Sequence, residues 1–434
     1  MNGADANPKH SRIRLGGEGL GNPGGQDKPY LVLQMLAGFF AFVIINAPSI
    51  KLLYFSELVN IGAVLGLWGT GLLKFLVFSD GRLYFSRGKI VFLLLFSVLW
   101  VFLLFYAALG PYALVDLKTI LQYLGVYGAV AGILLVFTTA AEVKTALLLQ
   151  IVWAVTLASF QLSGMELIGS ERQHYLTIGV PLAAGLVTLF GTFLSARSRL
   201  AKLISVPPAI AVVMALTTLL GRSPILFSAA TIVLFWILIA ATRDKLADKV
   251  KQFLLLAGIG AIVFTVIANN VTDHWLMRFQ GLEHVEEEPR IEIYTRAFEL
   301  IAANPLGYGL NASELLIGIY PHNLFLEAII SGGIGSFAAL ALLMAAFGVI
   351  VLRGLRLQSY LLPCCMLAFY FILTWNVSFE LTSAFTPIGA CALSFAAYET
   401  MIRRPGDAKN EWIGRRRPSD PGGTGTAVQP AARI

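Results

Sequence analysis

This sequence predicts an all-α, polytopic membrane protein of about twelve spans with one large loop on the outer side. Three observations carry that expectation. The chain is 57% hydrophobic and only 13% charged, with a mean hydropathy of +0.75, far too apolar for a soluble globular protein. Its apolar runs are continuous and roughly twenty residues long, the length of a spanning helix, and lack the period-two alternation of a spanning strand. Its basic residues gather on alternate connections, as the positive-inside rule requires of an even number of spans.

Taken in order, residues 1–29 contain Gly, Asn, Lys and Arg without periodicity and predict a disordered, cytoplasmic start. The first apolar run follows these polar residues and merges into a full span, so no cleavable signal peptide is expected. Spans one to nine are expected between 30 and 268, at 30–47, 57–78, 89–108, 116–137, 143–161, 176–195, 203–220, 224–241 and 252–268. Residues 269–322 form a long polar loop expected to hold short helices. Spans ten to twelve follow at 323–352, 361–376 and 383–402, the tenth starting without a break from Tyr320-Pro321-His322-Asn323. The tail 403–434 is basic and rich in Pro and Gly, and is again expected to be disordered and cytoplasmic.

With both ends inside, the inner connections carry Arg82, Arg87, Lys89, Lys144, Arg197, Arg199, Lys202, Arg243, Lys245, Lys249, Lys251, Arg353 and Arg356. The outer ones keep only Lys51, Lys118, Arg172, Arg222, Arg278, Arg290 and Arg296. The net charge of +7 is therefore a topology signal matched to anionic lipid headgroups, and no nucleic-acid partner is implied. Cys364 and Cys365 are adjacent and Cys391 lies in another span, which predicts burial as small apolar residues.

The outer cations are the informative ones. Arg222 lies in Leu220-Gly221-Arg222-Ser223-Pro224, a connection so short that the arginine must sit at the mouth of the bundle, with Ser223 suited to the N-cap and Pro224 to the first turn of the eighth span. Arg172 and His174 precede the sixth span, and Pro321 and His322 open the tenth. All three spans present an N-terminus to the outer face, so their unpaired N–H groups and neighbouring cations would form an anion site if the bundle brings them together.

Within the loop, Pro289 to Ile301 has helical spacing. Pro289 suits the first turn, and Ile293, Tyr294, Ala297, Phe298 and Ile301 form an apolar stripe suited to the membrane surface or to capping the bundle. Arg296 has Glu292 four residues before it and Glu299 three after, and reads as a surface ion pair. Arg290, beside Tyr294 on the stripe edge, has no acidic partner at i+4 and reads as functional, although Glu286, Glu287 and Glu288 stand just before it. Asn304-Pro305-Leu306-Gly307-Tyr308-Gly309 ends the helix as a turn-rich segment. At a helix N-terminus the dipole disfavours the imidazolium, so His322 is expected to be neutral and able to accept a proton. Asn323 can donate to an oxyanion or a hydroxyl, and Glu327 could orient the ring or pair locally. His174 and His284 lack that context.

Pro321-His322-Asn323-Leu324-Phe325-Leu326-Glu327, followed by Ser331-Gly332-Gly333-Ile334-Gly335, resembles the His-Asn…Glu…Gly-x-x-Gly segment of the O-antigen ligase family, which includes related repeat-unit polymerases. Arg290 with Ala297-Phe298 and Asn304 to Gly309 is similar to that family's Arg…Pro-x-Gly-x-Gly segment. Gly221-Arg222-Ser223 is similar to its Ser-Arg span start, with the order altered. The resemblance covers the architecture in kind, a dozen spans and one large periplasmic loop, and rests in detail on residues 220–335.

What the resemblance implies is transfer of a glycan from undecaprenyl pyrophosphate to a sugar hydroxyl of lipid A-core, on the periplasmic face of a bacterial inner membrane. No metal, nucleotide or other cofactor is implied. Arg222 and Arg290, with Arg172, would neutralise the departing diphosphate through forked guanidinium contacts. His322 would act as general base on the acceptor hydroxyl, giving inversion. Asn323, His174 and Tyr294 would bind diphosphate or sugar. Glu286 to Glu288 are consecutive and ill-suited to converge on one metal ion. Two alternatives stay open. A repeat-unit polymerase would use the same donor with a lipid-linked acceptor. A transporter or flippase could also use twelve spans, although Glu57, Asp116, Lys118, Glu166, Glu327 and Glu380 all fall near span ends and none at a span centre.

Overall fold

The structure is a computed structural model describing residues 27–54, 58–78, 86–110, 117–164, 175–196, 198–219, 222–242, 289–357 and 359–402, with scattered helical positions between 247 and 265. The described residues are helices and turns, with no strand among them. In chain order they form α1 (Asp27–Ile45), α2 (Ala47–Tyr54), α3 (Leu58–Phe78), α4 (Arg87–Leu109), α5 (Leu117–Val136), α6 (Ala140–Ser163), α7 (Tyr175–Ser195), α8 (Arg199–Thr217) and α9 (Arg222–Ala241). After the loop come α10 (Pro289–Ala303), α11 (Ala312–Ile317), α12 (Leu324–Leu357), α13 (Leu361–Ser378), a 3-10 turn (Leu381–Ser383) and α14 (Phe385–Ile402).

Among the described residues nine helices, α3 to α9 with α12 and α13, are long and apolar enough to cross a membrane, and Pro29–Ile45 is a shorter apolar helix. The protein is a polytopic helical membrane protein. Most of the expected span 252–268, both termini and residues 266–288 lie outside the described residues. Side chains such as Leu65, Leu72, Leu203 and Leu342 stand exposed on the flanks, the inverse of a soluble protein's surface and suited to lipid. Inside, α4 packs along α12, α13 along α14, and α7 against both α6 and α13. Cys364, Cys365 and Cys391 are buried and free, as expected of small apolar residues.

One charged cluster lies within the spans, where the sequence suggested none. Lys74 of α3 is buried and ion-paired with Glu142, and its Nζ also donates to the Val136 carbonyl (2.7 Å) and Thr138 Oγ1 (3.1 Å). Lys89 Nζ donates to the Phe137 carbonyl (2.5 Å). Glu142 Oε2 accepts from the N–H groups of Thr138 (2.6 Å) and Thr139 (2.8 Å), which caps α6. These groups satisfy the orphan carbonyls ending α5 and the orphan amides opening α6, so their charge belongs to helix ends and not to a path through the bundle.

Candidate functional site

The site begins where the loop meets α12. Asn323 caps that helix, its Oδ1 accepting from the N–H groups of Phe325 (3.0 Å) and Leu326 (3.1 Å). His322, one residue earlier, adopts the left-handed region at φ 51°, one of two non-glycine residues to do so among those described. That turn lays the imidazole edge-on to Tyr320, ring centroids 4.6 Å apart. Its Nδ1 is buried without a hydrogen-bond partner. Burial, and next the Arg290 guanidinium, push the imidazole pKa below its usual 6.5, opposed by a hydrogen bond with the Ser378 backbone. Desolvation and the charge of Arg290 thus both favour the neutral imidazole that the sequence leads one to expect.

The charge of Arg290 is felt at His322 because α10 is laid over the start of α12. Ile293, Ala297, Leu300 and Ile301 of α10 pack with Ala312 and Ile317 of α11 and with Leu326 and Ile330 of α12. The apolar stripe is thus narrower than the sequence suggested. Tyr294 is half-buried and Phe298 points outward, because the turns of α10 that meet α12 are those carrying Ala297 and Leu300. Arg296 pairs with Glu292 on the exposed side (2.5 Å), as its spacing predicts.

α12 is not the unbroken helix expected. It is interrupted at Gly332 (φ −122°, ψ 17°) and Gly333 (φ 68°, ψ −171°), the second a conformation essentially reserved for glycine. The Asn304–Gly309 turn docks into that break. Tyr308 N–H donates to the Ile330 carbonyl (2.8 Å), Gly309 N–H to the Ser331 carbonyl (3.0 Å), and Ile334 N–H to the Pro305 carbonyl (2.9 Å). Ser336 Oγ adds a bond to the Gly333 carbonyl (2.8 Å). The loop thereby supplies partners that the helix gives up, which apolar surroundings demand of any non-helical backbone. The two segments are thus one physical unit: the Pro305-Leu306-Gly307-Tyr308-Gly309 turn fills the break made by Gly332 and Gly333.

Glu327 does not orient His322. It is buried, and its Oε2 accepts from the Leu381 N–H (2.7 Å), tying the first turn of α12 to the α13–α14 connection. That connection carries Ser378 and Glu380 to the site, and sequence reasoning missed it because nothing local marks it. Tyr320 was also missed, though it stands two residues before His322. Burial, then the charges of Glu380, Glu327 and Glu314, raise its pKa above 10.0, so its hydroxyl stays protonated and able to donate.

The other expected site residues divide. α9 begins at Arg222, so Ser223 lies in the first turn and not at the cap, and the Arg222 side chain is outside the described set. Arg172, His174, His284 and Glu286 to Glu288 also lie outside it. Two of the three expected helix N-termini do meet: a Cβ on Gly179 of α7 would fall 2.9 Å from Pro224 Cγ of α9. α9 touches α12 less extensively. Among the described residues no three His, Cys, Asp or Glu side chains gather as a metal-ligand set. Comparison with known proteins finds no family model, no curated protein and no solved structure that matches this chain.

Proposed function

We propose that the chain is an O-antigen ligase, a metal-independent inverting glycosyltransferase. It moves a glycan from undecaprenyl pyrophosphate to a sugar hydroxyl of lipid A-core. In this reading the protein sits in a bacterial inner membrane with about twelve spans and both termini cytoplasmic, and residues 269–322 form a periplasmic loop over the site. The observation that carries the proposal is His322 at the mouth of α12, its Nδ1 buried without a hydrogen-bond partner, next to α10, the helix that carries Arg290. A neutral imidazole in the field of a guanidinium offers a base and an anion clamp at one end of the bundle. His322 takes the proton of the acceptor hydroxyl as its oxygen attacks the anomeric carbon. The bond from that carbon to the diphosphate oxygen breaks on the opposite face, and the leaving diphosphate takes the electron pair. Arg290, with Arg222 and Arg172, neutralises that charge. Tyr320 and the Asn323 amide, whose Oδ1 alone is used in capping, donate to sugar or phosphate oxygens, and Tyr294 and His174 also bind diphosphate or sugar.

The test is transfer by purified protein in lipid vesicles with an undecaprenyl-pyrophosphate-linked glycan, with and without lipid A-core, alongside His322→Ala. Product that requires lipid A-core and vanishes in the variant supports the proposal. Longer lipid-linked chains made without lipid A-core would make the protein a repeat-unit polymerase, and movement of the lipid across the bilayer without any product would make it a flippase. Chelator is expected to leave the rate unchanged, and a requirement for added divalent ion would overturn the arginine mechanism.

A further inference from the structure

A cavity of about 180 Å³ lies between the end of α1, the start of α2, the first turns of α7, the last turns of α13 and the start of α14. From its walls and position we infer that it binds one pyranose ring, an inference that rests on the glycan-transfer reading and assigns a sugar subsite to it. Three features point to that ligand. Phe371, Trp375 and Phe379 supply aromatic walls, and the last two stack with centroids 4.1 Å apart. The C–H face of a sugar packs on such rings while its hydroxyls remain to be matched. Ser49 Oγ and Thr386 Oγ1 are buried there without hydrogen-bond partners, in residues 5% and 1% exposed. Pro181, inside α7, removes the N–H that would close on the Thr177 carbonyl, leaving an acceptor in the same wall. Unpartnered hydroxyls that both donate and accept, beside a carbonyl that lacks its helical donor, suit a ligand that is itself rich in hydroxyls.

Size and position agree. A cavity of about 150 Å³ holds benzene, so the somewhat larger space here is of the size of one ring carrying substituents. The helices on two sides, α7 and α13, are the most enclosed of the spans among the described residues, so these two walls of the cavity belong to the inner part of the bundle. Phe379 directly follows Ser378, whose backbone bonds His322, so the chain segment that walls the cavity also borders the proposed base.

The experiment is photo-labelling of the full chain in lipid nanodiscs with diazirine derivatives of D-glucose, D-galactose and N-acetyl-D-glucosamine, with no lipid-linked donor present. Label is expected on peptides containing Trp375, Phe379 or Thr386, displaced by the free sugar. Thr386→Val, which keeps the shape, should weaken displacement about tenfold, and Val180→Phe, which fills the space, should abolish labelling. Label displaced by farnesol and by none of the sugars would make this a hydrocarbon cavity, and unlabelled cavity peptides would remove the site; either overturns the inference. Because no donor is present, sugar-displaceable label in a protein that transfers nothing would sink the transferase reading while leaving the subsite, and transfer without cavity label would do the reverse.

Discussion

The Leu306 carbonyl oxygen occupies the place where a side chain at position 333 would begin: a Cβ on Gly333 would lie 2.1 Å from it. Gly307 is equally close, its missing Cβ falling 2.5 Å from the Gly333 nitrogen. Gly333→Ala must displace backbone and adopt a conformation that costs a non-glycine residue about 1–3 kcal/mol before any clash is counted. The expected result is a lower melting temperature in detergent and faster amide exchange at Tyr308 and Gly309. Gly332→Ala should be milder, since its φ is ordinary and its neighbours are the side chains of Ser336 and Leu103. Equal melting for the Gly333 variant and the parent would mean that the turn is not seated in the break.

On the proposed mechanism, burial first and the charge of Arg290 second set the acid limb of activity through His322. With its pKa below 6.5, the imidazole is the free base at neutral pH, and the rate should hold at pH 6.5 and fall only at more acid pH. Removing the guanidinium relieves a repulsion on the protonated form, so the His322 pKa should rise in Arg290→Gln. Proton NMR titration of the ring reads this directly, and an unchanged titration would separate the two residues.

Arg290 and Arg296 lie on one helix and are expected to differ sharply. The Arg296–Glu292 pair has side chains 53% and 68% exposed, and such pairs contribute roughly 0.2–1 kcal/mol at most. Arg296→Ala should leave transfer within about twofold of the parent, whereas Arg290→Ala should abolish it in a protein that still inserts and folds. Equal losses would show that the helix face, and not the individual cation, matters.

Asn323 is expected to separate capping from binding. Asn323→Ala removes the cap and should cost about 1 kcal/mol of stability. Asn323→Asp keeps the accepting oxygen and loses the amide donor, so it should melt like the parent yet transfer poorly. Full activity in the aspartate variant would confine Asn323 to capping.

Glu327 is a tether by the same reasoning. Glu327→Ala strands the Leu381 N–H in a buried setting at about 1–3 kcal/mol, while Glu327→Gln retains an acceptor and should recover most of that stability. A glutamine variant as unstable as the alanine one would show that the carboxylate has a further partner.

Much of the helix pattern could be read along the chain. The nine long apolar helices fall within a few residues of expected spans, as in α3 at Leu58–Phe78 against 57–78 and α7 at Tyr175–Ser195 against 176–195. Turn chemistry was also legible: Pro289 starts α10, and Asn304 to Gly309 forms a turn. Lys74 and Glu142 were not foreseen, because their burial depends on two helix ends meeting across the bundle.

The sequence by itself determined the helical membrane class, since the need to bury backbone polar groups in hydrocarbon is satisfied one apolar segment at a time, and hydropathy is local. It also singled out His322 and Arg290, because a histidine before a span and an arginine with no acidic residue at i+4 are visible in one dimension. Only the tertiary structure decided that the charge of the one is felt at the other. It likewise decided that Glu327 serves the Leu381 amide and that the glycine pair breaks α12 to receive a turn more than twenty residues earlier in the chain. Such relations depend on which segments pack together, and a hydrogen bond or an electrostatic neighbour between distant residues leaves no periodicity along the chain to read.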